Sequence, residues 1–543
     1  ENFEFFVEKI KLLGTSLAPL CKGLVKLVIV DISLNRNQDN PQLIFESMNS
    51  TGRELSQADL IRNFVLMGLE PAHQTSLYED HWRPMEVEFG QETYGSHFDR
   101  FMRHYLTIKT GEIPNIDQVY ESFKAHARTT SIEAQGVDAM VADIHTFAGY
   151  YCNMVLGKEP KKDLADAFQD LREFKVDVAY PFLIELYDDY QNGVLDKKDF
   201  LQAIRLVESY VFRRAICNIP TNSLNKTFAT FRQKLNKKRY LESIQAHFIS
   251  LTSYRRFPDD EEFKRDMKVR DLYNFNRRSY WLRRMENFGR KERVPVTEYT
   301  IEHILPQNDE LSTEWQSALG FDWKRIQETW LHTLGNLTLT GYNSEYSDHP
   351  FAEKRDMEGG FKNSPLRLNE GLGKAKTWNE AAIQARADRL ANLAVKVWEA
   401  PKLPLETLRM YSKREEEPHA YTIKDHPHLS PSSPMLPLFE AFRREVLALD
   451  PVVTEEFLKL YIAYKAETNF VDVEPQAKRL RLTLNIAFPE IVDPKGICRD
   501  VAGLGKWGNG DVEVGFSTLE ELPYIMGLVR QAFENQMGNG DSE

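Results

Sequence analysis

Residues 299–307 read YTIEHILPQ. Tyr299, Ile301 and Ile304 give the run the β-forming, buried character of a strand, and Glu302 and His303 interrupt it where a strand would carry Val or Thr. A lone histidine in a strand is ordinarily a satisfied, half-buried residue, so the reading depends on the residues downstream. A Trp-rich stretch comes next (Trp315, Trp323, Trp330), then a second strand-like run, GNLTLTG (335–341). NSEYSDHPFAEKRD (343–356) follows, and finally the helical WNEAAIQARADRLANLAVKVW (378–398). The order β–loop–β–α with a helical cap sets residues 291–400 apart as a small α+β unit.

Outward from this unit the pattern is mostly helical. From 75 to 290, FDRFMRHYLTIKTG (98–111), VDAMVADIHTFAGYYCNMV (137–155) and KKDFLQAIRLVESYVFRRAI (197–216) repeat apolar residues at 3–4 spacing, which predicts an α-helical domain. Residues 1–74 are mixed. VKLVIVDISL (25–34) reads as β-rich, and PQLIFESMNSTGRELSQADLIRNFVLMGL (41–69) as helix, turn at Gly52, then a helix capped by Ser56. Residues 401–436 end in HPHLSPSSPMLP (426–437), whose four prolines and three serines read as a linker. Residues 437–543 form a small α/β domain. LFEAFRREVLAL and VVTEEFLKLYIAYKA read as helices there, RLRLTLNIAF and DVEVGF as strands, and STLEELPYIMGLVRQAF as a helix opened by Ser517 with Glu520. The fold class expected is α+β, mostly α-helical.

At 543 residues the chain is too long for one core. No apolar run approaches the roughly 20 residues of a membrane helix. The four cysteines lie far apart, which suits a reducing cytoplasm and argues against a zinc ribbon or disulfide framework. A net charge of −12 does not attract nucleic acid, so a DNA site must be a local patch. Residues 255–293 offer one, with thirteen Lys/Arg against eight Asp/Glu, interleaved with Tyr273, Phe275, Tyr280 and Trp281. A solvated helical face with i,i+4 pairs explains the same segment equally well. On the first reading Arg283 and Arg284 hold DNA.

A metal-assisted phosphodiester nuclease needs a general base, a divalent cation and a group that fixes the base. The segment resembles the HNH (ββα-metal) arrangement, in the order Glu302-His303, Asn336, Asn343, then Lys354-Arg355. The resemblance implies His303 as general base, Glu302 and Asn343 as ligands of magnesium or manganese, and Asn336 as brace of the histidine loop. Lys354 or Arg355 would neutralise a phosphate. Taken singly, Asn336 is as readily a turn residue, Asn343 a cap and Lys354-Arg355 a surface pair. His332 and His349 flank the set and are read as outside it, His349 being the one kept in view.

YTIEHILPQN (299–308), HTLGNLTLTGYNSEYSDHPFAEKR (332–355) and Trp378…Ile383…Arg386 resemble the C-terminal HNH domain of GmrSD-type restriction endonucleases, modification-dependent (type IV) enzymes of anti-phage defence. FESMNSTGRELSQADLIRNFVLM (45–67) resembles the end of that family's ParB/sulfiredoxin-like nucleotide-hydrolysing domain. VESYVFRRAICNIPTNSLNKTF (207–228), with Arg213, Arg214 and Asn225, resembles the helical region after it. Residues 437–537 resemble an accessory domain of unknown function. The family's DGQQR motif does not occur here, so the chain reads as N-terminally truncated, with Asn49 and Arg53 left as candidate contacts to GTP or ATP. The resemblance implies a DNA endonuclease acting on modified or foreign double-stranded DNA under nucleotide regulation, with a homodimer as one route to cutting both strands. Two alternatives stand beside it: a nucleotide-regulated DNA-binding sensor with an inactive nuclease site, and an RNA-cleaving abortive-infection effector. Glucosylated hydroxymethylcytosine, methylcytosine and phosphorothioate DNA all remain open as triggers.

Overall fold

The computed structural model describes residues 2–14, 17–28, 56–129, 136–221, 223–252, 255–411, 421–450, 452–466, 468–502 and 510–538. Helices dominate, with two small sheets, so the architecture is α+β and mostly helical. Most of the β-rich run at 25–34, the helix and turn at 41–55, and both Asn49 and Arg53 lie outside the described residues. Ser56 does cap the helix after it, Gln57–Leu66, its hydroxyl accepting from the Asp59 amide at 3.2 Å.

The helical region is built around α1 (Gln91–Thr110), α2 (Val137–Val155), α3 (Lys162–Phe174), α4 (Lys197–Ile216) and α5 (Arg278–Asn287). α1 stops at Gly111, which takes φ 79°, and α4 starts at Asp196, whose carboxylate accepts from the Asp199 amide at 2.8 Å. α4 is buried nearly all round, including Glu208, Arg213 and Arg214, and its neighbours wrap it. A helix carrying those charges in a core requires partners from elsewhere in the chain. Arg213 donates to the Trp398 and Pro258 carbonyls and to Asp260 at 2.7–3.0 Å.

The α+β unit holds β1 (Thr300–His303) and β2 (Leu337–Thr340), paired antiparallel with Thr300 opposite Thr340 and His303 opposite Leu337. Two short helices, Thr313–Leu319 and Trp323–Trp330, fill the connection. Beyond β2 come α6 (Phe351–Asp356) and α7 (Glu380–Val397). Two apolar cores meet at the strand pair. Leu337 and Leu339 join the large helical core, while Ile304, Leu305, Trp315, Phe351, Trp378 and Ile383 form a smaller one. The α+β unit therefore has a small core of its own and also contributes residues to the large core of the helices before it.

Residues after 421 have a core of their own. It lies between a helix at Leu436–Leu447, the helix Leu522–Gly538 and a six-stranded antiparallel sheet. VVTEEFLKLYIAYKA, expected as a helix, is instead a hairpin of Thr454–Phe457 with Ile462–Lys465. Ser517 and Thr518 cap through Glu521, not Glu520, their amides donating to its carboxylate at 2.8 and 2.9 Å. The Pro/Ser-rich run expected as linker gives Leu429 and Met435 to this core.

Candidate active site

β1 ends on Glu302 and His303, and both side chains are buried. The loop after them is held by Asn336, which is fully buried. Its Oδ1 accepts from the Leu305 amide at 2.7 Å and its Nδ2 donates to the Leu305 and Leu331 carbonyls at 3.0 Å. Trp378 Nε1 donates to the same Oδ1 at 3.3 Å. Such closure leaves the amide few alternatives, because each lost bond would strand a buried polar group. Gly335 precedes it because a Cβ there would lie 2.4 Å from the Ile383 carbonyl oxygen. Arg386, on α7, donates to the carbonyls of Leu334, Gly335, Leu337 and Leu368 at 2.8–3.1 Å, and burial pushes its guanidinium down to about 9.

The sequence places Lys354 against a phosphate. The structure instead buries it completely on α6, its Nζ 2.6 Å from Glu302 Oε1 and donating to the His303 and Ile304 carbonyls at 3.2 and 3.3 Å. Burial raises the Glu302 carboxyl and lowers the Lys354 ammonium, each against the pull of the other. Arg355 is also engaged, by Asp356 and by the Ala375 carbonyl at 2.8 Å. Asn343 is exposed at the start of a one-turn helix, Asn343–Tyr346, that packs against β1.

His303 is enclosed by three groups. Gln307 Nε2 lies 2.5 Å from its Nδ1 and 3.2 Å from its Nε2, and His332 Nδ1 lies 3.1 Å from Nε2. Tyr273 meets the His303 ring edge-on at 4.5 Å and stacks on His332 at 5.2 Å. Burial, with His332 and Lys354 adding to it, holds His303 down at about 3, so the ring is neutral at physiological pH. His332, read from sequence as outside the set, is therefore against its centre. His349 is not: it bonds Glu353 at 2.7 Å beside a cavity of about 470 Å³ lined by Ala352, Glu353, Asp356 and Met357.

Arg283 and Arg284 do not form an open basic face. Arg283 binds Asp170 at 2.6 Å and Glu173 at 2.5 Å, and Arg284 binds Glu208 at 2.6 Å, all within the helical core. Their acidic partners come from α3 and α4, so no local count of charges could reveal the pairing. Among the described residues, one group of three potential ligands stands together, Cys217, Glu262 and Asp266. Arg256 and Arg265 already bind its two carboxylates.

Glu302 presents one oxygen to a cation, the Lys354 ammonium, and a carboxylate oxygen of that kind suits a hard, oxygen-preferring ion. Comparison with known proteins gives three findings. A family model of unknown function, DUF5655, matches residues 426–536. An uncharacterized protein of Haemophilus influenzae (strain ATCC 51907 / DSM 11121 / KW20 / Rd) is 28% identical over 269 residues, 44% of this chain and 86% of its own length. Residues 257–393, the stretch that carries Glu302, His303, Asn336 and Lys354, match the model of the C-terminal domain of GmrSD restriction endonucleases, and over this stretch the chain is similar to that family.

Proposed function

We propose that the chain is a metal-dependent HNH-type endonuclease that hydrolyses phosphodiester bonds of double-stranded DNA. The observation that carries this reading is His303 at the end of β1, held neutral in a braced loop, within the stretch that matches a restriction endonuclease domain. A neutral imidazole is the form that accepts a proton from water. Glu302 and Asn343 are the oxygen donors proposed for magnesium or manganese, which when bound supplies positive charge to the phosphate and the leaving oxygen. Asn336 and Arg386 fix the loop, and with it the direction of the His303 ring. Lys354 balances Glu302 and has no free reach to DNA, so contact with phosphates falls to groups other than Lys354, Arg283 and Arg284.

Action on modified or foreign DNA in anti-phage defence, and regulation by GTP or ATP through Asn49 and Arg53, rest on resemblance to the family. One nuclease site per chain favours two chains, or two successive nicks, for a double-strand break. No helix among the described residues is long and apolar enough to cross a membrane. One observation favours a second reading, a DNA-binding sensor with an inactive site: Glu302 is tied to Lys354, and both ring nitrogens of His303 have neighbours. Plasmid cleavage with and without magnesium or manganese, comparing the parent with His303→Ala, separates the two. Metal-dependent cleavage lost in the variant supports the nuclease, and equal outcomes for both proteins support the sensor.

A further inference from the structure

His332 lies between the helix Trp323–Trp330 and β2, and the helical region fixes its placement. Its carbonyl accepts from the Leu272 amide at 2.8 Å and the Tyr273 amide at 3.3 Å. Its ring stacks on Tyr273 with an interplanar angle of 13°, and the Arg278 guanidinium sits 4.5 Å from the Tyr273 ring centre. The edge of His332 that faces β1 is Nδ1, 3.1 Å from His303 Nε2.

Two neutral imidazoles bond only when one donates and the other accepts. The amide nitrogen of Gln307, a donor, lies 2.5 Å from His303 Nδ1 and 3.2 Å from its Nε2, and with the nearer nitrogen taken as the acceptor the His303 proton sits on Nε2. The bond to His332 then runs from Nε2–H of His303 to Nδ1 of His332. We propose that His332 is a positioning residue for the nuclease reaction, accepting the Nε2 proton of His303 and so keeping Nδ1 the proton-accepting nitrogen of the ring. The inference rests on the nuclease reading and adds a residue to it. In the step, the O–H bond of water breaks and its proton passes to His303 Nδ1. The water oxygen forms the new bond to phosphorus, the bond from phosphorus to the leaving oxygen breaks, and that oxygen takes a proton from solvent. The step requires water in place of Gln307 at Nδ1, and the positive charge gained by the ring then rests against the His332 acceptor. The logic is that of any base oriented by a third group.

The test compares the full chain with His332→Phe, which keeps the ring stacked on Tyr273 without the acceptor, and His332→Asn, whose Oδ1 reproduces it. Cleavage of plasmid DNA is measured as kcat and KM, and the tautomer of His303 is read from nitrogen NMR of protein labelled at histidine. The expected result is a fall of about 10- to 100-fold in kcat for His332→Phe, with KM little changed and His332→Asn restoring most of the loss. His303 should be a single Nε2–H tautomer in the parent and His332→Asn, and a mixture in His332→Phe. Equal losses in both variants, or a His303 tautomer unmoved by His332→Phe, overturn the proposal. A parent that cuts no DNA removes the nuclease reading, and the tautomer spectra still decide whether His332 orients His303.

Discussion

Two clusters of buried charge sit in the same chain and resolve opposite ways. In the helical core, burial alone would raise the Glu208 carboxyl, but Arg284 and Arg205 overcome it and hold the group well below the usual carboxylate range. Arg284 is likewise raised, Glu208 and Asp170 outweighing its desolvation. At β1 desolvation wins: Glu302 is raised, Lys354 lowered, and His303 pushed down to about 3. The first cluster has several arginines for two acids and a tyrosine hydroxyl on Glu208 as well. The second has one lysine for one acid. A network whose charges hold each other in their ionised forms is scaffold, whereas groups that burial pushes toward their neutral forms mark a place for proton chemistry.

This contrast sets the expected order of mutational effects. Glu208→Ala leaves Arg205 and Arg284 without their shared carboxylate and should cost about 3–5 kcal/mol in chemical denaturation. A loss under 1 kcal/mol would mean that the network relaxes and that the contrast is false. Lys354→Met should cost less, about 1–3 kcal/mol, because Glu302 can take up a proton in place of its partner. That cost should shrink as the pH is lowered, and a penalty independent of pH would contradict the marginal character of the pair.

The histidine supplies a pH test with a defined sign. His303 titrates near 3 in the fold and near 6.5 when unfolded, so its contribution is complete above pH 6.5 and is lost as the pH falls toward 3. In that window the parent should lose about 1.4 kcal/mol of stability per pH unit relative to His303→Gln. Glu302 acts in the opposite sense, its raised carboxyl favouring the fold as pH falls, and this term cancels when parent and variant are compared. Parallel stability curves would show that His303 is not held neutral. The smallest expected effect is on DNA binding: Arg283→Ala should lower stability while leaving the salt dependence of DNA affinity unchanged. A slope reduced by about one would return Arg283 to the DNA face.

Much of the fold was legible because periodicity is local. The strands at 300–303 and 337–340 and the helices at 137–155 and 197–216 follow their apolar spacing. Residues 452–466 misled because Val453, Phe457, Leu460 and Tyr464 also fit a helical stripe, and the turn between the strands carries no Gly, Pro or Asn. The charges were harder. Arg283 meets acids 110 and 113 residues away, at Glu173 and Asp170, so counting within 255–293 left its charge unbalanced. Glu302-His303 was visible as a break in a strand, but nothing in LHTLGN marks His332 as its neighbour. That pairing depends on Tyr273 and the strand register.

His303 is proposed as the base of a metal-dependent nuclease. The most direct measurement is cleavage of supercoiled plasmid, plain and modified, with and without magnesium or manganese, by the parent and by His303→Ala. Cleavage is expected only with metal, reduced about 10²- to 10⁴-fold in the variant, with the two proteins equally folded. Cleavage by His303→Ala at the parent's rate would contradict the proposal.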